Sequence, residues 1–402
     1  LLKSFKTKLD LNNKQRTLAA KHAGVSRHAW NWGLDICLKA LDNQEKLPTA
    51  IDLHKRLVAE VKSVHTWYYE VSKCPPQEAL RNLYKAFQHW FKVPGRGKPK
   101  FKKKNVKDSF YLEGSIKISG NRIKFPIFGW VKCYEILPTV QPKNVTVTKR
   151  AGDWYVSFKY ELEQKVTPKR RDKIGVDIGI NALATCSDGS VFPNLKAYRK
   201  AKRKLAHLQR SVCRKEKGSN NRNKANLKVA KLHRRIANIR QDAIHKLTTW
   251  LAKNHGEIKI EDLNVSGMLK NHRLASAIAD CGFYEFRRQL EYKSGWYGST
   301  IIKVDRFYPS SQVCSCCNNR QKMPLKTRVF NCGNCGTTLD RDYNASINLE
   351  RWHESIDYPK TVSSTGIACG GSHQLNGTAV KDSVKQELDI KFIPKQLSLF
   401  DE

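Results

Sequence analysis

Cysteines at positions 314, 317, 332 and 335 form two C-x2-C pairs separated by fourteen residues. No other feature of the 402-residue chain restricts its fold as tightly. A two-residue gap lets both thiolates of a pair turn onto one ion, and four thiolates suit tetrahedral zinc. The segment between the pairs then becomes a closed loop, too short for a core of its own and held by the metal. All four positions are filled by protein, so the predicted zinc site is structural. Cys316, inside "CSCC", falls outside the two-residue gap and is expected to be a bystander. Five residues after Cys335 an acidic pair begins, Asp340 and Asp342.

Seven further cysteines (37, 74, 133, 186, 213, 281 and 369) are scattered singly, unlike a secreted disulfide framework. No run of 18 apolar residues, lipidation signal or secretory leader is found, and Leu1 implies that the numbering omits an initiator Met. These features predict a soluble protein of a reducing compartment. Lys plus Arg total 74 against 36 Asp plus Glu, a net charge of +38. A surplus of that size repels itself unless a polyanion neutralises it, and nucleic acid fits better than a membrane surface.

"LLKSFKTKLD" alternates as a strand, and "LNNKQ" offers Asn12 or Asn13 as a helix cap. Residues 14 to 93 are predicted helical, with Trp30, Leu34 and Leu38 on one stripe and Leu80, Leu83, Phe87 and Trp90 on another. Such stripes are ordinary core. "KVPGRGKPKFKKKN" reads as a basic linker. Between 108 and 162, "SIKIS", "RIKFP", "NVTVTKR" and "WYVSFKYEL" predict a small antiparallel barrel or sheet.

"IGVDIGINALATCSDGSVF" predicts two strands joined by a turn. Residues 196 to 240 hold 17 Lys plus Arg and one acid, Glu216. Val229, Leu232, Ile236, Ile239, Ala243, Leu247 and Trp250 recur at helical spacing, which predicts a buried seam under a basic face. A solvated face is the plain alternative to polyanion contact there. "EIKIEDLNVSGM" and "STIIKVDRF" predict strands, "YEFRRQLEYKSGWYG" a helix, and the Gly- and Ser-rich residues after 361 a disordered tail.

Asp177 alternates with Ile174, Val176 and Ile178, and flanking glycines 175 and 179 are expected to leave space for a large ligand. Glu261 ends "IKIE" in the same way, and Asp340 and Asp342 stand at the threshold of a helix. Each acid alone is more often a surface group or a cap. Together, in so basic a chain, they suit hard divalent cations. Two such ions about 4 Å apart would activate a water and stabilise the leaving oxygen in phosphodiester hydrolysis.

In order and spacing, "GVDIGINALATCSDG", "LHRRIANIRQDAIHKLTTWL", "IKIEDLNVSGM", "YPSSQVCSCC", "CGNCGTTLDRDYNASINL" and "VKQEL" resemble the TnpB family of transposon-associated RNA-guided nucleases, related to type V CRISPR effectors. The resemblance covers residues 1 to 360 and implies a multi-domain α/β protein. Its parts would be a first wedge strand (1–10), a helical recognition lobe (11–93), a wedge β-barrel (94–168), an RNase H-like RuvC nuclease (169–306), a zinc-binding module (307–338), the third RuvC motif (339–360) and a disordered tail (361–402). It implies catalytic, Mg2+-binding Asp177, Glu261 and Asp342, with Asp340 a neighbour that supports those ligands or caps the helix. "CSCC" departs from the family pattern, as does Ser346, where Ala is commoner.

The implied partners are a transposon-encoded guide RNA and a duplex DNA target carrying a short flanking motif, with one protein per RNA in a bacterial or archaeal cytoplasm. Both strands would be cut by one site in turn. Gln77 is a candidate base contact through its amide, or simply an exposed residue near a helix start. Lys100, Lys102, Lys103 and Lys104, with Arg203, Arg234 and Arg235, are candidate phosphate contacts. An autonomous DNA transposase using the same acids, or a nuclease-inactive RNA-guided repressor, are the alternatives.

Overall fold

The computed structural model describes residues 2–161, 167–324 and 326–353, so the expected tail lies outside the described residues. The chain divides into two compact units, on either side of residues 162–166.

The N-terminal unit opens with strand β1 (Leu2–Asp10) and helix α1 (Asn13–Asp42). Asn12 is the cap: its side chain accepts from Gln15 N, and the Gln15 side chain accepts from Asn12 N. Helices α2 (Ala50–Arg56) and α3 (Cys74–Lys92) follow. Pro75 and Pro76 occupy the first turn of α3, where a missing N–H costs no helical bond. The predicted stripes are core: Trp30, Leu34, Leu80, Leu83 and Phe87 are buried, and Leu38 and Trp90 pack beside them. Gly33 lets α1 and α3 approach, since a Cβ there would lie 2.7 Å from Leu80 Cδ2.

Strands β2 (Ser109–Glu113), β3 (Lys117–Ser119), β4 (Arg122–Phe125), β5 (Gly129–Cys133), β6 (Asn144–Arg150) and β7 (Asp153–Glu161) complete an antiparallel sheet with β1. Its order is β2-β6-β7-β1-β5-β4-β3. Two of these strands, β2 and β5, were not legible in "FYLE" and "GWVKC". The first half of α1 covers this sheet through Ala19 and Ala23, while its second half belongs to the helical core. The basic linker is pinned to α1: Trp30 Nε1 donates to Lys100 O, and Asn31 brackets the Lys102 backbone with two bonds.

The C-terminal unit contains β8 (Arg171–Asp177), β9 (Ala182–Cys186), β10 (Val191–Pro193), α4 (Ala197–Cys213) and α5 (Asn220–Asn254). Then come β11 (His255–Glu261), α6 (Val265–Leu269), α7 (Ala275–Cys281), α8 (Phe283–Tyr297) and β12 (Thr300–Val304). A two-stranded ribbon, β13 (Val329–Asn331) and β14 (Thr338–Asp340), leads into α9 (Arg341–Arg351). The main sheet runs β10-β9-β8-β11-β12, antiparallel from β10 to β8 and parallel from β8 to β12.

Ile174, Val176, Ile258 and Ile260 point into a core shared with Ile244, Leu247 and Leu251 of α5 and Phe286 and Leu290 of α8. The predicted seam of α5 is real at Val229, Ile236 and Leu247, but Ile239 is 36% exposed. A 35-residue helix outlasts the sheet it covers. Its first half packs on α4 and only its second half on the sheet core, so the buried face changes between them.

Candidate active site and metal knuckle

The register of β8 and β11 brings the first two acids together. Val176 pairs with Ile260 across parallel strands, so Asp177 and Glu261, one residue further on, lie side by side at the carboxyl ends. Because Val176 and Ile260 face the core, both acids face the opposite side of the sheet. Helix α9 covers that side. A Cβ on Gly175 would lie 2.0 Å from Ser346 O and 2.4 Å from Glu350 N, so only glycine admits the helix backbone. The space expected here for a ligand is therefore filled by α9, which a strand's own alternation cannot reveal. Lys259, on the same face, donates to Glu350 O at 2.8 Å and Trp352 O at 2.6 Å, capping the far end of α9.

Fixed at both ends, α9 delivers Asp342 in its first turn. Asp340 is its N-cap, accepting from Asp342 N at 2.9 Å and Tyr343 N at 3.0 Å. Burial, followed by the charges of Glu261, Asp342 and Asp340, holds Asp177 well above the usual carboxylate range, with Arg341 opposing. Burial also raises Glu261, against a hydrogen bond from Ser310 Oγ at 2.5 Å. Crowded, desolvated carboxylates of this kind are unfavourable unless protonated or joined by a cation. The acids offer only oxygen donors, the kind Mg2+ takes, although among the described residues only the four cysteines already lie close enough together to hold an ion.

Several cations border the cluster. Arg341 lies 3.2 Å from Asp342 Oδ1, and Arg328, the residue before β13, 3.9 Å from the same atom. With its amide oriented to satisfy both groups, Asn181 in the β8–β9 turn accepts from Arg328 at 2.8 Å. Neither Arg328 nor Ser310 stood out in the sequence. Both lie among polar residues of the cysteine segment, with no periodicity to mark them.

The four cysteines converge. Their sulfurs all lie within 4.8 Å of one another, with 3.7 Å between Cys314 and Cys335 and 3.6 Å between Cys317 and Cys332. A zinc tetrahedron with bonds of about 2.3 Å has sulfurs roughly 3.8 Å apart, so this set fits the ion. The N–H of Cys316 donates to Cys314 Sγ, while the Cys316 side chain is exposed and outside the set. Hydrogen bonds from Thr337 pull the Cys335 thiol down to about 6, toward the thiolate a metal needs.

The candidate nucleic-acid contacts are dispersed. Gln77 is half-buried in the first turn of α3. Lys100, Lys103 and Lys104 are exposed, whereas the Lys102 ammonium lies 3.7 Å from the Trp30 ring centroid. Desolvation there lowers Lys102 to about 8, although the residue as a whole is exposed. Arg203 on α4 and Arg235 on α5 are exposed, and Arg234 is half-buried.

A model of the OrfB family of IS605-type elements, described as "probable transposase", matches residues 157–272. One described as a Cas12f1-like TNB domain matches 283–349, spanning the knuckle and most of α9. A protein of Streptomyces pristinaespiralis named as an RNA-guided DNA endonuclease is 34% identical over 86% of this chain and 88% of its own. The chain belongs to the TnpB family. Escherichia coli InsQ, another relative carrying that name, is 35% identical over 87% of this chain and 91% of its own. A solved Cas12f1, in complex with sgRNA and target DNA, has a TM-score of 0.51 at 12% identity, covering 87% of this chain and 98% of that one. At that identity the likeness bears on the fold alone. A helix-turn-helix model also matches 1–46, where this TnpB-family chain has a strand and one unbroken helix.

Proposed function

We propose that this protein is an RNA-guided, divalent-metal-dependent DNA endonuclease with a single RuvC-type site. The observation that carries this reading is the placement of Asp177 and Glu261 side by side on one sheet face, under the helix that carries Asp342, in a chain of net charge +38. Relatives named for that activity, matched over more than four-fifths of this chain, support it. Mg2+ held by the three acids would supply an activated water and stabilise the leaving oxygen. Ser310 orients Glu261, Asp340 holds the first turn of α9, and Arg328 and Arg341 offer positive charge beside Asp342.

In this reading the four cysteines hold a structural zinc within a module over 307–338. The N-terminal unit then supplies the recognition helices (11–93) and the wedge sheet (1–10 and 94–168), and 169–306 with 339–360 form the nuclease. Gln77 reads a base of the flanking motif, and Lys100, Lys102, Lys103, Lys104, Arg203, Arg234 and Arg235 contact phosphates. An autonomous transposase has one observation in its favour, the description of the model matching 157–272.

Purified protein should carry RNA that ribonuclease removes. Stripped protein should cut only when a guide-bearing RNA is restored, and a changed guide should move the cut. Specific double-strand cuts by RNA-free protein would sink the RNA-guided reading in favour of the transposase.

A further inference from the structure

Helix α9 buries two asparagines, Asn344 and Asn348, which are 0% and 2% exposed. Asparagine is a poor interior helix residue, and a buried amide is costly unless fully bonded. A leucine would pack as well if packing were all that was needed here. Both amides instead grip the backbone of the first cysteine pair. Asn344 Oδ1 accepts from Ser315 N at 2.9 Å, and its Nδ2 donates to Val313 O at 2.7 Å, so it holds the chain on both sides of Cys314. Asn348 Nδ2 donates to the same Val313 O at 2.6 Å and to Ser310 O at 2.8 Å. Ser310 in turn donates from Oγ to Glu261 Oε1 at 2.5 Å. Arg351, at the end of α9, bonds Ser315 O.

The run of bonds therefore has the cysteine cluster at one end and two acids at the other. Asp342 sits two residues before Asn344 on one helix, and Glu261 receives the Ser310 hydroxyl. We infer that Ser310, Asn344 and Asn348 are positioning residues: they transmit the geometry of the zinc cluster to Glu261 and Asp342. The inference rests on the reading of those acids as the catalytic metal site. Each asparagine is fixed by two bonds in a low-dielectric setting, where a displaced partner leaves an unpaired polar group. A shift of the knuckle backbone is thus costly unless α9 and residue 310 move with it. The helix cannot yield at Gly175, where its backbone already lies against β8.

The test uses the full-length chain. Ser310→Ala is the smallest change and should keep zinc at its normal stoichiometry. The Mg2+ concentration for half-maximal cleavage should rise about tenfold, the scale typical of groups that orient metal ligands. Mn2+ binding to the RNA-free chain, followed by electron paramagnetic resonance, should weaken by the same factor, and Ser310→Thr should restore both. Asn344→Ala and Asn348→Ala should add faster zinc release to a chelator, again about tenfold. A purely structural fastening would lower thermal stability and leave metal dependence alone. Unchanged Mg2+ and Mn2+ behaviour in Ser310→Ala, with zinc retained, overturns the inference. Asp177→Ala separates this from failure of the site reading: if it still cleaves and binds Mn2+ normally, the acids are not the metal site.

Discussion

The cysteine cluster and the carboxylate cluster are neighbours built on opposite principles. All four cysteines lie between residues 314 and 335, in a segment whose described strands are a three-residue pair. The acids come from residues 177, 261 and 342, on two strands and a helix that already have a large core beneath them. Among the cysteines, burial pushes Cys314 up to about 11 while hydrogen bonds pull Cys335 down to about 6, so without an ion the set carries only part of its possible charge and suffers limited repulsion. Buried carboxylates near neutral pH escape repulsion only by taking up protons. In the proposed reading, the first cluster is a site whose metal makes the structure, and the second a site whose structure calls for the metal.

Zinc removal probes the larger of the two effects. Structural zinc supplies on the order of 10 kcal/mol of local folding free energy, and past residue 315, where α9 grips the backbone, the segment's apolar core is little more than Phe330 with Met323 beside it. Chelation or Cys335→Ser should therefore unfold residues 316–337 while the sheet core keeps its amide protection. Hydrogen exchange measured region by region checks this. Cys316→Ser should leave zinc content unchanged, and zinc loss in that variant would put the wrong sulfur in the set.

Alanine at Asp177, Glu261 or Asp342 should produce the reverse pattern. We expect folding intact and cleavage reduced about a thousandfold or more, the equivalent of roughly 4 kcal/mol in the barrier. Affinity for guide and target should change little, since phosphate contacts elsewhere dominate binding. Cleavage and binding measured on one duplex separate these terms. Weakened binding without loss of cleavage would remove the acids from the catalytic machinery.

The acid cluster also predicts a pH response whose sign is fixed. Asp177 has a folded-state pKa above its ordinary value of about 3.9. Its contribution to stability is therefore fully present below that ordinary value and lost as pH rises through the folded-state pKa. Without divalent metal, Asp177→Asn should raise Tm at about pH 8 and leave it nearly unchanged at about pH 4. Millimolar Mg2+ should stabilise the native protein at the higher pH and do little at the lower. Equal Mg2+ stabilisation at both would contradict a shared cation site.

The two clusters also differed in how far they could be read from the chain. The cysteine spacing is local chemistry, and the whole set was visible in it. Alternation through Ile174, Val176, Ile258 and Ile260 correctly gave the faces of Asp177 and Glu261, because period two is a property of a single strand. What Gly175 faces is not open space, since its neighbour is a helix that follows all five strands of the sheet in the chain. The same holds for Ser310, Arg328 and the two buried asparagines, whose partners lie across the fold. Only Asn344 and Asn348 left a trace, an i, i+4 polar pair between apolar residues of "NASINL".

The smallest effect concerns Asp340, which stands at the join between the two clusters. It ends β14, the last strand before α9, and its charge helps to raise Asp177. Its carboxylate is already engaged with the N–H groups of Asp342 and Tyr343. A capping role needs only an oxygen acceptor, whereas a metal ligand needs the negative charge. Asp340→Ala should therefore cost about 1 kcal/mol of stability, with cleavage falling severalfold as the first turn of α9 frays. Asp340→Asn keeps the acceptor and removes the charge, so it should restore both stability and cleavage to near the native level. Measuring Tm and cleavage rate for the two variants together distinguishes the roles. If Asp340→Asn is as stable as the native protein and yet inactive, Asp340 binds the catalytic metal, and the acid cluster has a fourth member.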